Sequence, residues 1–530
     1  MTDPETTNNE MAAGESPEQT DDFCMALAGD MNENEDDNGS PATTDDDAGD
    51  NDDFITEDTV TERVGTTSSA RFNILSTMVG GGSLSLPLAF KKSGNVLMAP
   101  ILLLVTAVVT EFCFRLLIRS ARTLHPVTGR TKNPGIDSFE SISAAAFGTK
   151  ALIFSKILVV LMCFFGTVGY AVLLRDMLEP ITIGIYHPVD SNPSRWEANS
   201  VMMTVVLLVT PLCTLKTLTA LKPFGAASMF SVLILGSCVL FRSTECLVMD
   251  HESLWTTAFR LFPETWKDVL DVIPLYISCY VCHYNIPTVH NELRKPSEER
   301  VSWWLRSTTW SATIFYLVLG LSGSAYSKCS TDNQISGNIL KDFDNKDPLL
   351  LVGRMCLAIT ITLAFPMLTI PARDIVLRSM MERRRPATGA TPSLVESSDD
   401  PQETLAEPLL SGEGQDTEAP DMEDTPSSQE SGPLNVSFTT RLGIAIMLFW
   451  TATALACCVA SIDIVWDLLG SSLSIILSFL VPCGSYLIIA KQSSAAPGQS
   501  LSKILAWIVL AVTGPLMFIS TINAVHDTFF

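Results

Sequence analysis

The sequence predicts an all-α integral membrane protein of eleven transmembrane helices, ten of them forming two inverted repeats of five, with the first and sixth helices broken. Three observations predict it. Long apolar runs recur through a chain whose formal net charge is −24. The first run is interrupted by three consecutive glycines, Gly80, Gly81 and Gly82. The sixth carries a polar middle set between Pro274 and Pro287.

Composition separates the chain into parts. It has 530 residues, 47% of them hydrophobic, and a mean hydropathy of +0.28. A soluble chain this acidic would be hydrophilic on average, so the charge is segregated. Residues 1–66 hold 21 acidic residues and one basic, and 386–437 hold 12 and none, which leaves about +8 on the rest. Both acidic stretches lack periodic apolar faces and are expected to be disordered. The expected organisation is an acidic cytosolic tail over 1–66, spans one to eight over 67–375, an acidic cytosolic loop over 376–438, and spans nine to eleven over 439–530. The N-terminus, MTDPETTNNE, has neither the basic nor the apolar region of a cleavable signal. Glu407–Leu410 resembles part of an acidic di-leucine sorting signal but reads as linker.

A span needs about 20 mostly apolar residues to cross the hydrocarbon. Such runs lie at 70–92, 96–119, 151–178, 199–216, 224–242, 268–290, 305–326, 349–371, 440–460, 463–490 and 503–525. Basic residues in short flanking loops set orientation. Arg119, Arg122, Arg294, Lys295, Arg300, Arg373 and Arg383–Arg385 fall on one side, which places the N-terminus in the cytosol. Between the second and third runs, GIDSFESISAAAFGTKA reads as a short interfacial amphipathic helix with Phe139, Ile142, Ala145 and Phe147 on its apolar face, closed by Gly148. The 13 cysteines are scattered and form no zinc pattern. Cys246 and Cys329 fall in loops on the non-cytosolic side and are candidates for a disulfide.

The two interruptions carry the chemistry. Each interior glycine costs a helix about 1 kcal/mol, so Gly80–Ser83 unwinds the first span. Unwound backbone at bilayer depth is tolerated only against protein or a polar cavity. Bared amides at Gly80, Gly81, Gly82 and Ser83 suit a carboxylate, and freed carbonyls suit a cation. In the sixth span, Ser278 and Tyr280 are candidates to bind an α-amino group and line a side-chain pocket, and His283 is a candidate for proton coupling. Thr360 and Thr362 on the eighth span and Asn73 on the first offer hard oxygens for Na⁺. The plain alternative for each threonine is a bond back to its own helix. Glu111 and Arg115, four apart, are expected to pair on one helix face. Arg175, Asp176, Asp463 and Asp467 sit near the non-cytosolic ends, as interfacial or gating charges.

Five stretches resemble the amino acid/auxin permease superfamily, within it most closely the sodium-coupled neutral amino acid transporters and the vacuolar amino acid transporters. They are FNILSTMVGGGSLSLPLAF, GYAVLLRDML, TPLCTLKTLTALKPFG, CHYNIPTVHNELRKPSEER and TITLAFPMLTIPARD, in order across 68–525. The resemblance implies a LeuT-like fold with spans one to ten as the inverted repeats. It implies substrate at the backbone of Gly80–Ser83. In sodium-coupled members it implies Asn73 and Thr362, with Thr360 as runner-up, at the ion. The chain departs from the family pattern in having three glycines, and in Ala364-Phe365 on the eighth span, so Na⁺ and H⁺ both stay open.

The sequence therefore points to a secondary active transporter of L-amino acids, of the neutral class, coupled to Na⁺ or H⁺, with a vacuolar or lysosomal proton-coupled exporter as the alternative. From another class, an amino acid sensor would signal through a cytosolic partner of the acidic tail. No cofactor beyond the coupling ion and no nucleic-acid partner is expected, and the lipid bilayer is the medium. The host membrane is plasma, vacuolar or lysosomal. No HExxH, GxSxG or paired intramembrane carboxylate suggests an enzyme.

Overall fold

The computed structural model describes residues 66–124, 138–186, 194–215, 222–249, 260–293, 296–329, 334–384, 437–492 and 499–529. The acidic tail, most of the acidic loop and Glu407–Leu410 lie outside the described residues. What is described is helical. Nine helices among the described residues are long and apolar enough to cross a membrane.

The chain begins with α1 (Thr67–Met78), a 3₁₀ turn at Gly81–Ser85 and α2 (Leu86–Ser93). Then come α3 (Met98–Leu124), a short α4 (Phe139–Phe147), α5 (Thr149–Met177), α6 (Glu179–Tyr186), α7 (Arg195–Cys213) and α8 (Lys222–Met249). The second interruption separates α9 (Trp266–Cys279) from a 3₁₀ turn at His283–Asn285 and α10 (Ile286–Glu292). The remainder is α11 (Glu298–Ala325), α12 (Pro348–Arg384), α13 (Phe438–Cys458), α14 (Ile462–Leu469), two π turns, α15 (Val481–Gln492) and α16 (Gln499–Phe529).

Two of the eleven expected spans are absent from the nine. The first is cut into pieces of 12 and 8 residues, each too short alone. The seventh, α11, has 28 residues but carries Arg306 and a run of serine and threonine that lowers its hydropathy. Other boundaries also move. α12 runs to Arg384, past the expected end at 371 and the expected domain boundary at 375, because Val376–Arg384 contains neither Gly nor Pro. Lys156 pairs with Glu382 at 2.8 Å near that end.

Side-chain caps set several helix starts. Ser194 with Glu197 and Thr265 with Asp268 form capping boxes on α7 and α9, and Thr66 accepts from the Ser69 N–H at 3.1 Å on α1. Each such cap is worth about 1 kcal/mol. α4 is capped by Ser138 and Ser141 and closed by Gly148 at φ 86°. The expected apolar face is corrected: Phe139 and Ile142 are buried, with Glu140 and Ser143, whereas Phe147 is exposed. The reason is packing, because α4 lies against α5 and α15 and is part of the bundle.

α5 is the most enclosed of the unbroken helices and contacts α12, α4 and α13. α11 holds the first broken helix, packing on α1, α2, α3 and α8. The outer faces are apolar: Leu207 and Leu208 on α7, and Trp507, Phe518 and Ile522 on α16, are all exposed. Faces this apolar suit hydrocarbon rather than water.

Candidate functional site

At the first interruption α1 ends at Met78. Val79 turns away and Gly80 is extended (φ −122°, ψ −151°). The Gly80 N–H donates to the Met78 carbonyl at 2.9 Å, and the Ser83 N–H donates to the Gly80 carbonyl at 3.1 Å. The Ser83 hydroxyl donates to the same Gly80 oxygen at 2.8 Å. Of the four expected amides, those of Gly80 and Ser83 are therefore in use. Gly81 and Gly82 open the 3₁₀ turn, where the first N–H groups have no partner within the helix. A Cβ on Gly80 would collide with the Tyr170 hydroxyl.

At the second interruption α9 ends at Cys279, and Tyr280–Cys282 is non-helical. Pro274, on the N-terminal side of the interruption, lies inside α9. Pro287 sits in the first turn of α10, where its missing N–H costs nothing. The two interruptions face each other. A Cβ on Gly82 would lie 3.7 Å from both Ser278 Oγ and Cys279 Sγ.

Tyr316 of α11 joins them. Its buried hydroxyl lies 2.7 Å from the Met78 carbonyl and 2.8 Å from the Cys279 carbonyl. These are the C-terminal oxygens of α1 and α9, the negative ends of two half-helices. Sequence reasoning missed Tyr316. Its only signal is one phenol in a long helix, which does not reveal where the hydroxyl points. Tyr170, beside Gly80, was missed for the same reason.

The other expected site residues divide. Ser278 donates to the Leu275 carbonyl at 2.8 Å and borders Gly82. Tyr280 hydrogen-bonds Thr313 at 2.8 Å, and Thr313 in turn donates to the Thr309 carbonyl. Its hydroxyl is thus turned into α11 and is not open to a pocket. His283 is fully buried between Phe114 (ring centroids 4.4 Å) and Phe479 (6.1 Å). Neither ring nitrogen has a hydrogen-bond partner among the described residues. Asn73 is half-buried on α1, and its carbonyl accepts the Ser76 and Thr77 hydroxyls, each at 2.9 Å. Thr360 and Thr362 donate to Cys356 and Ala358 of their own helix at 3.1 and 2.7 Å. A hydroxyl that donates backward still has lone pairs for a cation. No hydrogen bond among the described residues links Asn73 to either threonine. α1 packs mainly on α11 and α8, whereas α12 packs mainly on α8 and α5.

Segment 334–347 covers the first break at the end of the bundle opposite Thr66. Ser85 donates to the Gly337 carbonyl at 2.7 Å. Buried Asp176 takes Lys341 at 2.9 Å and the Asn338 amide at 3.2 Å. Arg175 donates instead to the Val459 and Ala460 carbonyls at 3.1 and 3.0 Å. Arg242 grips Asp347 through two nitrogens at 2.6 and 2.8 Å, which holds that carboxyl below its ordinary range. Burial pushes Asp342 the other way. Cys246 and Cys329 are disulfide-bonded, their Cα atoms 6.2 Å apart.

These features describe a multi-pass helical membrane protein with two facing helix interruptions. Residues 63–526 match the family described as transmembrane amino acid transporter protein, and the chain belongs to that family. Its members move solute and are not enzymes. The chain is 25% identical over 315 residues to vacuolar amino acid transporter 5 of Schizosaccharomyces pombe, covering 59% of this chain and 69% of that one. It is 26% identical over 312 residues to vacuolar amino acid transporter 7 of Saccharomyces cerevisiae, covering 58% of each. A Danio rerio chain assigned by name to the sodium-coupled neutral amino acid transporters is 22% identical over 317 residues, covering 59% of this chain and 66% of that one.

Proposed function

We propose that the protein is a secondary active transporter that carries a neutral L-amino acid together with Na⁺ or H⁺ by alternating access. The observation that carries this reading is the pair of facing interruptions, with Gly82 beside Ser278 and Cys279 and with Gly81 and Gly82 opening the 3₁₀ turn. Unpaired N–H groups at the start of a helical turn attract a carboxylate, and carbonyl ends of half-helices attract a cation. The family match supports amino acids as cargo. In this reading the chain has eleven spans with the N-terminus in the cytosol, and spans one to ten form a LeuT-like inverted repeat of five plus five. Asn73 and Thr362, with Thr360 in reserve, serve Na⁺, and His283 serves H⁺. The acidic tail and the acidic loop are cytosolic and unfolded.

A second reading, a proton-coupled vacuolar or lysosomal exporter, is favoured by the two relatives named as vacuolar transporters. Flux of radiolabelled amino acids in proteoliposomes, with sodium and proton gradients imposed separately, tests both. Gly81→Val is expected to abolish uptake by protein that still folds and is delivered; uptake near wild type sinks the carboxylate assignment. Asn73→Ala or Thr362→Ala is expected to raise the sodium concentration for half-maximal transport. An unchanged sodium response, with uptake driven by a pH gradient in sodium-free buffer, selects protons.

A further inference from the structure

A groove of about 610 Å³ opens between α3 and α11, and no residue of either helix interruption lines it. It is lined by Val108, Glu111, Phe112 and Arg115 of α3 and by Arg306 and Trp310 of α11. Glu111 is the hub. It accepts from Arg115 at 2.5 and 3.1 Å and from the Trp310 indole at 3.2 Å, with Arg306 3.7 Å away. Two guanidinium groups and one carboxylate leave the cluster at +1. The Arg306 side chain is 69% exposed, and that single long contact is its only ion pair among the described residues.

The surroundings of the groove are those of a bilayer. Apolar stripes lead away from it on both helices, with Val108, Val105 and Ile101 exposed on α3 and Ile314 and Val318 on α11. Trp303 and Trp310 bracket Arg306 and are partly exposed, as aromatic residues are at the headgroup level. At 1.5 Å per residue, Arg306 lies about 12 Å from the start of α11 and Arg115 about 14 Å from the end of α3. Both therefore sit near the end of the bundle that bears Arg119, Arg122 and Arg300. A guanidinium left open to hydrocarbon is costly. A phosphate at that depth removes the cost, and the fork of an arginine matches phosphate oxygens.

We propose that this groove binds one anionic phospholipid, its phosphate on Arg306 and Arg115 and its acyl chains along the two apolar stripes. The charge balance selects an anionic head over a zwitterionic one. The cation of a choline head would need Glu111, which Arg115, Trp310 and Arg306 already engage. Basic pockets between membrane helices are a recurrent form of lipid-head recognition.

Native mass spectrometry of the full chain in mild detergent tests this, with dioleoylphosphatidylglycerol and dioleoylphosphatidylcholine as probes. Wild type is expected to retain the glycerol lipid over the choline lipid. Arg306→Gln is expected to lower that retention about tenfold, the scale of one lost charged hydrogen bond, with an unchanged melting temperature because the side chain is exposed. Arg306→Lys should recover part of it. Glu111→Gln, which frees both guanidinium groups, should raise it. Equal retention of the two lipids, or wild-type retention by Arg306→Gln, overturns the proposal. Full displacement by glycerol phosphate also overturns it, since the head alone would then be the ligand.

Discussion

The two helix interruptions look alike in outline but are built differently. The first is made of glycine and the second contains none. Gly80 has an extended backbone that any residue adopts, so torsion does not demand glycine there. Space does, because the Tyr170 hydroxyl occupies the position of a Cβ. At the second, Tyr280 (φ −103°, ψ 5°) and Cys282 (φ −146°, ψ 13°) both keep negative φ, so neither position needs the left-handed freedom of glycine. What sustains it is what its ends touch: the Cys279 carbonyl on Tyr316, and Pro287 starting the next helix. One interruption is written locally as room for a neighbour. The other is imposed by neighbours.

Substitutions can break or sharpen this contrast. The largest effect is expected from Gly80→Ala, whose methyl meets the Tyr170 hydroxyl. Overpacking of this kind costs about 1–3 kcal/mol, and uptake should fall with stability. Tyr170→Phe in the same chain removes the colliding oxygen and should restore part of both. If the double variant is no better than the single one, space is not the reason for glycine.

Tyr316→Phe comes next, because it touches both interruptions at once. It removes the one hydroxyl proton that the Met78 and Cys279 carbonyls share, at about 1–3 kcal/mol. Thermal unfolding in detergent should show the loss, and amide hydrogen exchange should rise at Met78–Gly82 and Cys279–Cys282 together. A rise at one alone would mean that they are not coupled through Tyr316.

Ser83→Ala is expected to cost about 1 kcal/mol, since the Gly80 carbonyl keeps the Ser83 N–H after losing the hydroxyl. Its effect on exchange should be confined to the first interruption. The smallest change is expected from Pro274→Ala. Proline inside a helix removes a donor and crowds the preceding turn, so alanine should be neutral or add up to about 1 kcal/mol. Uptake should stay near wild type. A loss comparable to that of Gly80→Ala would return the second interruption to Pro274.

Much of this was legible along the chain. Helices long and apolar enough to cross a membrane stand at nine of the eleven expected spans among the described residues, because a run of apolar residues long enough for a bilayer is a local, additive property. The glycine run marked the first interruption because glycine acts where it stands. The pairing of Glu111 with Arg115 followed from helical spacing, and the bond between Cys246 and Cys329 was named as a candidate. The acidity of the two acidic segments is likewise a matter of composition.

Other features depend on partners distant in sequence, which no local pattern names. Pro274 brackets the second interruption from inside α9, and the chain leaves the helix only after Cys279. Tyr280 was expected to line a pocket, yet its hydroxyl is turned to Thr313. Tyr316 carried no signal, though it ties Met78 to Cys279 across 238 and 37 residues of chain.

The sequence alone determined a membrane-embedded helical chain, its acidic segments and a glycine-made gap in its first span, since each follows from residues adjacent along the backbone. Tertiary structure decided which bared peptide groups remain free, which hydroxyls are already engaged, and that Arg115 and Arg306 share one groove. A hydrogen bond or an ion pair depends on where two groups meet in space, and helix packing alone brings those groups together.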